Sequence, residues 1–364
     1  MPFLSLSFTN YRNLEDKAID LLANEVFFIG ENGQGKSNLL EALYISAYGS
    51  SFRTRIENEI VKNNHTDYSI RALYKQSNEK TDSINVTWKS GKKQIRKNAK
   101  IIKDRKEIIN TIPCVLFSHD DLDFAIGAPE RRRFFIDQSL SMYDILYVDI
   151  TRKYNKILKS RNSILKNENA DLQMLSVYDS ELIQTGIQIV KKRNAAILQF
   201  NTIYPHLYEE ITGIKNVSIK YDSSWKNKSE SEINDLLISK REVDKVMHTT
   251  MSGPHRDRIK FIKDKKPFIS TASTGQQRLA ALLLRICQAI HYSEITNKKP
   301  VLLMDDVLLE LDPDKRQKIT ALLPEYDQLF CTFLPGEPYE RYKHSETRIY
   351  TIEEGMWNEV TSGL

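Results

Sequence analysis

The chain of 364 residues has only three cysteines, Cys114, Cys287 and Cys331. Their odd number and wide spacing argue against a disulfide framework and a zinc site, and are typical of a reducing compartment. No stretch approaches the roughly 18 consecutive apolar residues of a membrane-spanning helix. The first residues, MPFLSLSFTNYRN, lack the basic and apolar regions of a secretory signal. We therefore expect a cytoplasmic protein without a membrane partner.

A strong excess of one charge is also missing. The chain has 53 lysine and arginine residues against 48 aspartate and glutamate residues, a net charge of +5. Any basic surface must therefore be local, so the composition permits nucleic-acid binding without demonstrating it. At 40% hydrophobic residues, the chain can build one large or two medium globular domains.

The sequence GENGQGKSN fits the phosphate-loop pattern G-x-x-x-x-G-K-[ST]. The apolar run 26–29 before it predicts a buried strand, and the leucines after it predict one apolar face of a helix. Backbone amides between such a strand and helix converge on an anion, and glycines permit close approach. Lys36 would reach the β and γ phosphates, and Ser37 would bind Mg²⁺. The predicted cradle comprises Gly30, Glu31, Asn32, Gly33, Gln34, Gly35, Lys36, Ser37 and Asn38.

A second apolar run, KPVLLMDD at 299–306, ends in two adjacent carboxylates. Such a pair at the carboxyl end of a buried strand is costly unless a cation or a reacting water is near it. We expect Asp305 to bind Mg²⁺ and Asp306 to act in catalysis, by orienting or deprotonating the attacking water. The alternative is a strand that simply emerges into solvent. Asp312 followed by Pro313 predicts the start of the next helix.

The segment STASTGQQRLAALLL, from residue 270, predicts a helix with a core-facing leucine stripe. Ser273 and Gln276 have the spacing of a capping box. Gly275 in the first turn destabilises a helix by roughly 1 kcal/mol relative to alanine, which indicates that something approaches the backbone there. One alternative is an ordinary capped helix. The other is a second phosphate site that serves a nucleotide held by another subunit.

The phosphate loop, this helix and the paired acids, in that order, resemble the ABC-type ATPase head shared by SMC proteins, Rad50 and RecF. Four further strings resemble the bacterial RecF family of recombination and replication-repair proteins. The resemblance covers nearly the whole chain, least clearly between 140 and 245. These strings are FTNYRN (8–13), VLFSHDDLDFAIGAPERRRFFID (115–137), SGPHRD (252–257) and LLMDDVLLELD (302–312).

The resemblance implies an ATP-dependent homodimer in which each ATP and its Mg²⁺ lie between the phosphate loop of one subunit and the signature residues Ser273, Gly275 and Gln276 of the other. It implies a weak ATPase that binds double-stranded DNA and single-strand/duplex junctions in recombinational repair and replication restart. RecR- and RecO-like mediators would be its partners, and it would help to load a recombinase. It also places Arg12 near the nucleotide. No switch histidine follows QLFCTFLPG, so the γ-phosphate sensor is unassigned and slow hydrolysis is expected.

Between residues 53 and 112, alternating segments predict a small antiparallel sheet. Within it, residues 89–106 contain nine lysine or arginine residues and one aspartate. This run forms either a solvated face or a contact to the phosphate backbone of DNA. The candidate DNA contacts here are Lys93, Arg96, Lys97 and Lys100.

From Pro129 the pattern predicts helices, with a break at 139–144, and Arg131 and Arg132 are two further candidate DNA contacts. The predicted fold is α/β: an ABC-type P-loop ATPase head of residues 1–128 and 246–364, with a small antiparallel β-sheet, and an inserted helical arm of residues 129–245.

Three other functions are alternatives to a DNA-binding ATPase clamp. The runner-up is an ABC-type ATPase subunit that drives a membrane or protein partner, which the absent switch histidine and the arm disfavour. A nuclease of the OLD type needs a further acidic domain, for which some fifty residues after Asp312 leave no room. A GTPase is disfavoured because TNKKP lacks the aspartate of a guanine-reading N-K-x-D motif.

Overall fold

The computed structural model describes residues 3–76, 80–109, 111–167, 172–308, 311–344 and 346–360. Its strands are β1 (Phe3–Thr9), β2 (Ala18–Asp20), β3 (Glu25–Ile29), β4 (Tyr68–Lys75), β5 (Thr81–Lys89), β6 (Lys92–Lys97), β7 (Lys100–Ile102), β8 (Cys114–Phe117), β9 (Val217–Asp222), β10 (Arg258–Lys263), β11 (Lys266–Pro267), β12 (Val301–Met304), β13 (Gln328–Phe333), β14 (Arg348–Glu353) and β15 (Met356–Glu359). Its helices are α1 (Lys36–Tyr48), α2 (Lys106–Ile109), α3 (Leu122–Ile126), α4 (Pro129–Ser141), α5 (Ile145–Leu165), α6 (Leu172–Thr212), α7 (Glu230–Ser239), α8 (Arg241–Val246), α9 (Thr274–Thr296) and α10 (Pro313–Ala321).

The chain folds into two compact units. The first contains residues 1–120 and 296–364, and the second contains residues 121–295. The second unit is therefore longer than the predicted arm at both ends, since it includes 121–128 and 246–295, which the sequence pattern had grouped with the head. None of the helices in the described ranges is both long and apolar enough for a membrane span.

A six-stranded sheet in the first unit has the order β15-β14-β3-β13-β12-β8. The five strands from β14 to β8 run parallel to one another, and β15 pairs antiparallel with β14 at one edge. Because parallel strands end at the same edge of a sheet, the glycine loop after β3 and the two aspartates after β12 lie on one side, with β13 between their strands. The predicted strands at 26–29 and 299–306 are confirmed, the latter as four residues.

The other sheet of this unit is antiparallel, with the order β2-β1-β4-β5-β6-β7. The predicted small sheet is thus confirmed between 53 and 112 and extended by β1 and β2. One face of it is buried, with Tyr68, Ile70, Ile84 and Val86 among the core residues.

Helix α1 packs against both sheets, through β4 and β5 on one side and β8 and β13 on the other. The sequence predicted one apolar face for this helix, but Leu39 to Ala47 are all buried, including Glu41 and Ser46. A helix between two layers has no solvent face, which explains why its polar residues are also inside.

The second unit is built around α6, a helix of 41 residues that packs against α4, α5, α7 and β9. Its predicted end before Gly213 and the predicted break before α5, where Asp144 caps Tyr147 N, are both confirmed. The expectation of an all-helical segment up to 245 is wrong, because β9 pairs antiparallel with β10. The alternation in VSIKYD was the signal for this strand.

Buried ion pairs hold the second unit together. Arg161 is completely buried and donates to Asp179 and Asp244, each at 2.7 Å, and to Thr250 Oγ1 at 2.8 Å. Removal of one partner from such a pair leaves an uncompensated buried charge, which typically costs about 3–5 kcal/mol. This network therefore fixes the turn at 244–250 to α5 and α6.

His255, in the SGPHRD segment, is held in its neutral form. Its Nε2 lies 2.9 Å from the carbonyl oxygen of Thr250, which can only accept, so Nδ1 accepts from the Tyr154 hydroxyl at 2.7 Å. Burial, together with the nearby Arg256 and Arg133, lowers the pKa of His255 to about 4. The segment is therefore a structural element of the second unit.

This pKa predicts a loss of stability in mild acid. An unfolded histidine takes up its proton near pH 6.5, whereas folded His255 takes it up only near pH 4. Stability from this residue is therefore present above pH 6.5 and lost as the pH falls towards 4, with a slope of at most about 1.4 kcal/mol per pH unit. Glutamine is uncharged and also forms hydrogen bonds. We expect the free energy of unfolding of His255→Gln, measured in urea, to decrease less steeply than that of wild type as the pH is lowered from 6.5 to 4. Equal slopes for the two proteins would contradict this assignment.

Candidate nucleotide-binding site

The glycine loop between β3 and α1 is fixed by backbone contacts that exclude larger residues. A Cβ on Gly30 would lie 2.4 Å from the carbonyl oxygen of Ile352, so only glycine fits beside β14. Gly35, the residue before α1, has φ +120°, and Gly33 has φ +81°, a region that side chains disfavour. The loop therefore has the conformation that brings its amides to the N-terminus of a buried helix.

Lys36 is the cation of this loop. Its side chain is buried, with 3% of the residue exposed, and Nζ donates to the carbonyl oxygens of Gly30 at 2.7 Å and Glu31 at 3.2 Å. It forms no ion pair with a carboxylate of the described residues. A buried ammonium without a counter-ion is costly, and a phosphate oxygen satisfies both its charge and its third N–H group.

Ser37 and Asp305 are brought together as predicted from the two strand ends. The Ser37 hydroxyl donates to Asp305 Oδ1 at 2.8 Å. Burial raises the pKa of Asp305 to about 6, and the charge of neighbouring Asp306 adds to this effect, against the opposing hydrogen bond from Ser37. Mg²⁺ is usually held by one or two protein oxygen ligands together with substrate phosphates. A hydroxyl joined to a carboxylate fits that requirement.

Asp306 is positioned by the neighbouring strand. Thr332 of β13 donates its hydroxyl to Asp306 Oδ1 at 2.7 Å and accepts from the Asp306 backbone N–H at 2.8 Å. Asp306 has φ +54°, in the left-handed region. Such a conformation persists only where surrounding contacts enforce it, and it is often found at functional sites. Sequence reasoning missed Thr332; a buried threonine in the apolar strand QLFCTF was the available signal.

Arg12 lies against α1. Its Nε and Nη2 donate to the two carboxylate oxygens of Glu41, at 2.9 and 2.7 Å, and its Nη1 donates to the carbonyl oxygen of Glu59. Glu41 is completely buried and also accepts from the Tyr11 hydroxyl at 3.1 Å. This two-pronged pair compensates the buried carboxylate and joins the YRN segment to the helix. That Arg12 also reaches the nucleotide stays a prediction.

Asn13, next in the same segment, braces the loop and was missed by the sequence analysis. Its Nδ2 lies 3.4 Å from the carbonyl oxygen of Gly33 and 3.2 Å from that of Gln34, and its Oδ1 accepts from Asn38 Nδ2 at 2.7 Å. Gly355 supports the loop from the β14–β15 turn, where its N–H donates to the Gln34 carbonyl at 2.9 Å. These contacts hold the carbonyls of Gly33 and Gln34 and so restrict the conformation of the loop.

The signature segment forms the predicted capping box. Ser273 N donates to Gln276 Oε1 at 2.9 Å, and Gln276 N donates to Ser273 Oγ at 3.3 Å. Ser273, Thr274 and Gly275 are exposed, and a Cβ on Gly275 would meet no described atom within 4 Å. The first turn of α9 therefore presents its backbone to solvent.

The four candidate DNA contacts of the antiparallel sheet divide by the direction of their side chains. Lys93 pairs with Glu57 at 2.7 Å, and burial lowers its pKa. Lys97 is half-buried and lies 3.4 Å from Thr111 Oγ1. Arg96 and Lys100 are exposed.

The two candidates on α4 divide in the same way. Arg131 is exposed and lies 3.3 Å from Asp123. Arg132 turns inward, where its Nη1 donates to the Ala125 carbonyl at 2.8 Å and burial lowers its pKa. The inward residues Lys93 and Arg132 thus make structural contacts.

The brace made by Asn13 gives a testable prediction. Asn13→Ala removes both hydrogen bonds that the Asn13 amide makes to the loop carbonyls, so we expect the Kd for Mg²⁺–ATP to rise about tenfold, or roughly 1.4 kcal/mol. The melting temperature should change little. Isothermal titration calorimetry and thermal unfolding measure the two effects. Asn63→Ala, at an exposed asparagine for which the described residues offer no hydrogen bond, is the control. An unchanged Kd in Asn13→Ala would show that the loop keeps its conformation without the brace.

Comparison with known proteins agrees with this site. The family model of the RecF/RecN/SMC N terminal domain matches residues 3–357. The DNA replication and repair protein RecF of Treponema pallidum (strain Nichols) is 47% identical over 352 residues, which cover 96% of this chain and 99% of the relative. RecF of Clostridium perfringens (strain SM101 / Type A) is 35% identical over 364 residues, 98% and 99% of the two chains. These matches support the predicted DNA-repair function over the alternative of a transporter subunit.

Solved structures give the same answer. A structure of the recombination mediator protein RecF-ATP in the RecFOR pathway superposes with a TM-score of 0.88 and 29% identity over 99% of this chain and 97% of that chain. An SMC head bound to the C-terminal winged-helix domain of ScpA has a TM-score of 0.56 at 13% identity, over 98% and 97% of the chains, which is a likeness of fold alone. The predicted α/β ABC-type ATPase head is confirmed, and the chain belongs to the RecF family of DNA replication and repair proteins.

Proposed function

We propose that this protein is an ATP-dependent DNA-binding protein of recombinational repair and replication restart. The observation that carries the proposal is the buried Lys36, whose ammonium is held on two carbonyls of the glycine loop and has no counter-ion among the described residues, and which directly precedes Ser37 of the Ser37–Asp305 pair. This arrangement has the charge and the donors for a triphosphate with its metal. A solved RecF structure is described as bound to ATP, in agreement with this ligand.

Each residue of the site has a separate task. Lys36 binds the β and γ phosphate oxygens, and the loop amides bind the remaining phosphate oxygens. Ser37 and Asp305 are the ligands for Mg²⁺, which neutralises negative charge on the phosphates when it is bound. Asp306 orients the attacking water or accepts its proton, in the position that Thr332 gives to its carboxylate.

Hydrolysis by this site is slow and acts as a switch. One oxygen of the Asp306 carboxylate already accepts a hydrogen bond from Thr332, which leaves fewer lone pairs for the attacking water. A switch histidine is also missing from its usual place: the first histidine after β13 is His344, which hydrogen-bonds to Glu25 at 2.8 Å, and Glu25 begins β3. That is the end of the strand opposite to the glycine loop, roughly 13 Å away. The γ-phosphate sensor stays unassigned.

The first turn of α9 completes the site of a second subunit. Its exposed Ser273 and Gly275 offer a hydroxyl and bare amides at a helix N-terminus, which bind negative charge. ATP then joins two heads, because each triphosphate contacts the phosphate loop of one and the signature residues Ser273, Gly275 and Gln276 of the other. Hydrolysis removes the bridging phosphate and releases the dimer.

The dimer binds double-stranded DNA and single-strand/duplex junctions, where RecR- and RecO-like mediators join it to help load a recombinase. Of the predicted DNA contacts, DNA can reach those whose side chains are exposed to solvent: Arg96, Lys100 and Arg131. Contacts of this kind give affinity and salt dependence without sequence preference.

The two-subunit site predicts opposite effects for two substitutions. Asp306→Asn binds ATP but hydrolyses it slowly, so we expect a dimer that persists for the whole run in gel filtration with Mg²⁺–ATP. Lys36→Ala loses phosphate binding and should elute as a monomer under the same conditions. A monomeric Asp306→Asn protein at saturating ATP would refute ATP-bridged dimerisation.

A complementation experiment tests whether the signature residues act on the other subunit. Lys36→Ala and Ser273→Arg are each expected to be inactive alone. Mixed in equal amounts, they should recover up to about half of the wild-type ATPase rate, because only mixed dimers have an ATP bridge and each of them carries one intact composite site out of two. A site contained in one chain gives no recovery. Mixing Lys36→Ala with Lys36→Ala/Ser273→Arg is the control that should stay inactive in either case.

A further inference from the structure

The outer side of the antiparallel sheet has an unusual set of side chains. In the pairing of β4, β5 and β6, Arg71 lies opposite Asn85, Asn85 lies opposite Arg96, and Lys89 lies opposite Lys92. Residues opposite each other point to the same face of a sheet. Thr87 and Gln94 form a further pair on this face, and six side chains of β5 and β6 line a shallow groove of about 380 Å³: Asn85, Thr87, Lys89, Lys92, Gln94 and Arg96. We call Arg71 and these six the β4–β6 solvent face.

This face separates charge. Arg71, Lys89, Lys92 and Arg96 are exposed and form no ion pair with a described residue. The one acid on the three strands, Asp82, is buried on the opposite side. The chain as a whole is almost balanced in charge, so four unpaired cations on one side of three strands, with no acid of those strands on the same side, are a local excess of positive charge. Asp20 lies on β2, towards the opposite edge of the sheet, and its charge is compensated by Arg348.

The chemistry of the face favours one class of partner. Its neutral members are amide and hydroxyl side chains, which also donate hydrogen bonds to phosphate oxygens. Protein interfaces depend on an apolar or aromatic anchor, and on the outer side of β4 to β7 the apolar side chains are limited to Leu73 and Ile101. Single-stranded nucleic acid binds by stacking on aromatic rings, yet Tyr68 and Trp88 belong to the opposite, core-facing side.

We propose that the β4–β6 solvent face binds the phosphate backbone of duplex DNA. Its cations fall into two groups, Arg71 with Arg96 and Lys89 with Lys92. Arg96 and Lys92 are four residues apart on one strand, or roughly 13 Å. The major groove of B-form DNA is about 12 Å wide, so the two groups can contact phosphates on both of its sides. The location of this contact rests on the proposed DNA-binding function but not on ATP hydrolysis.

The test is a fourfold substitution, Arg71→Gln, Lys89→Gln, Lys92→Gln and Arg96→Gln. The matched control removes the same charge from exposed cations elsewhere in the first unit, by Lys17→Gln, Lys298→Gln, Lys318→Gln and Arg341→Gln. Duplex binding is measured by fluorescence anisotropy with Mg²⁺–ATP at several salt concentrations. We expect the face variant to bind duplex at least about tenfold more weakly, with the slope of log K against log salt smaller by about 2–4. The control should keep the wild-type slope.

Other outcomes separate failure of this inference from failure of the proposed function. If the face variant binds duplex as tightly as wild type and with the same slope, the face is a solvated surface and the DNA contact lies elsewhere. If only its single-strand affinity falls, or if polyglutamate displaces the wild-type complex better than unlabelled duplex does, the assignment to a duplex backbone is overturned. Wild-type protein that binds no DNA in any nucleotide state contradicts the proposed function itself.

ATP affinity and melting temperature report whether the face variant is folded. If it is not, the pairs Arg71→Gln with Arg96→Gln and Lys89→Gln with Lys92→Gln replace it. Each pair removes one of the two groups of cations, so each should reduce the salt slope by about 1–2.

Discussion

The burial of α1 between two sheets is the constraint on which the rest of the first unit depends. Since this helix has no solvent face, its polar residues must find partners inside the protein. Glu41 is compensated by Arg12, Tyr11 and Ser51. Because Tyr11 and Arg12 of the YRN segment bind Glu41, the next residue, Asn13, lies beside the glycine loop. Ser37, at the start of the helix, forms its hydrogen bond with Asp305. The phosphate site is thus a consequence of how a buried helix satisfies its own polar groups.

The sequence predicted those parts of the site that depend on local backbone geometry. The glycine loop, the capping box at Ser273 and Gln276, and the cap at Asp312 have spacings set by a turn of helix, so their patterns appear within ten residues. Ser37 and Asp305, 268 positions apart, were both predicted as Mg²⁺ ligands, and the parallel sheet brings them together because both follow buried strands that it aligns.

Contacts between distant residues could not be predicted where neither local helix spacing nor the alignment of strand ends in a parallel sheet brings the residues together. A lone threonine in the apolar strand QLFCTF indicates a polar partner but not that the partner is Asp306, and nothing near Asn13 indicates that it holds the loop carbonyls. Each contact depends on the register of neighbouring elements. The basic run shows the same limit. Its composition predicts a surface, but the period of two in a strand turns Lys93 towards Glu57 and Arg96 towards solvent. Strand register, which composition does not contain, decides which of these cations DNA can reach.

The site also contains two buried groups of opposite charge, and the burial of each is electrostatically unfavourable. Lys36 is a buried cation without a described counter-ion, and Asp305 is a carboxylate whose pKa is raised to about 6 by burial and by the charge of Asp306. Direct pairing of the two would remove both costs, yet Lys36 is held on the Gly30 and Glu31 carbonyls while Asp305 is held on Ser37. Phosphate oxygens complement the ammonium, and a divalent cation complements the carboxylates, so only a metal–phosphate ligand relieves both at once. The specificity of the site for a metal–phosphate ligand therefore follows from the separation of the two charges. The binding free energy of that ligand stabilises the nucleotide-bound state.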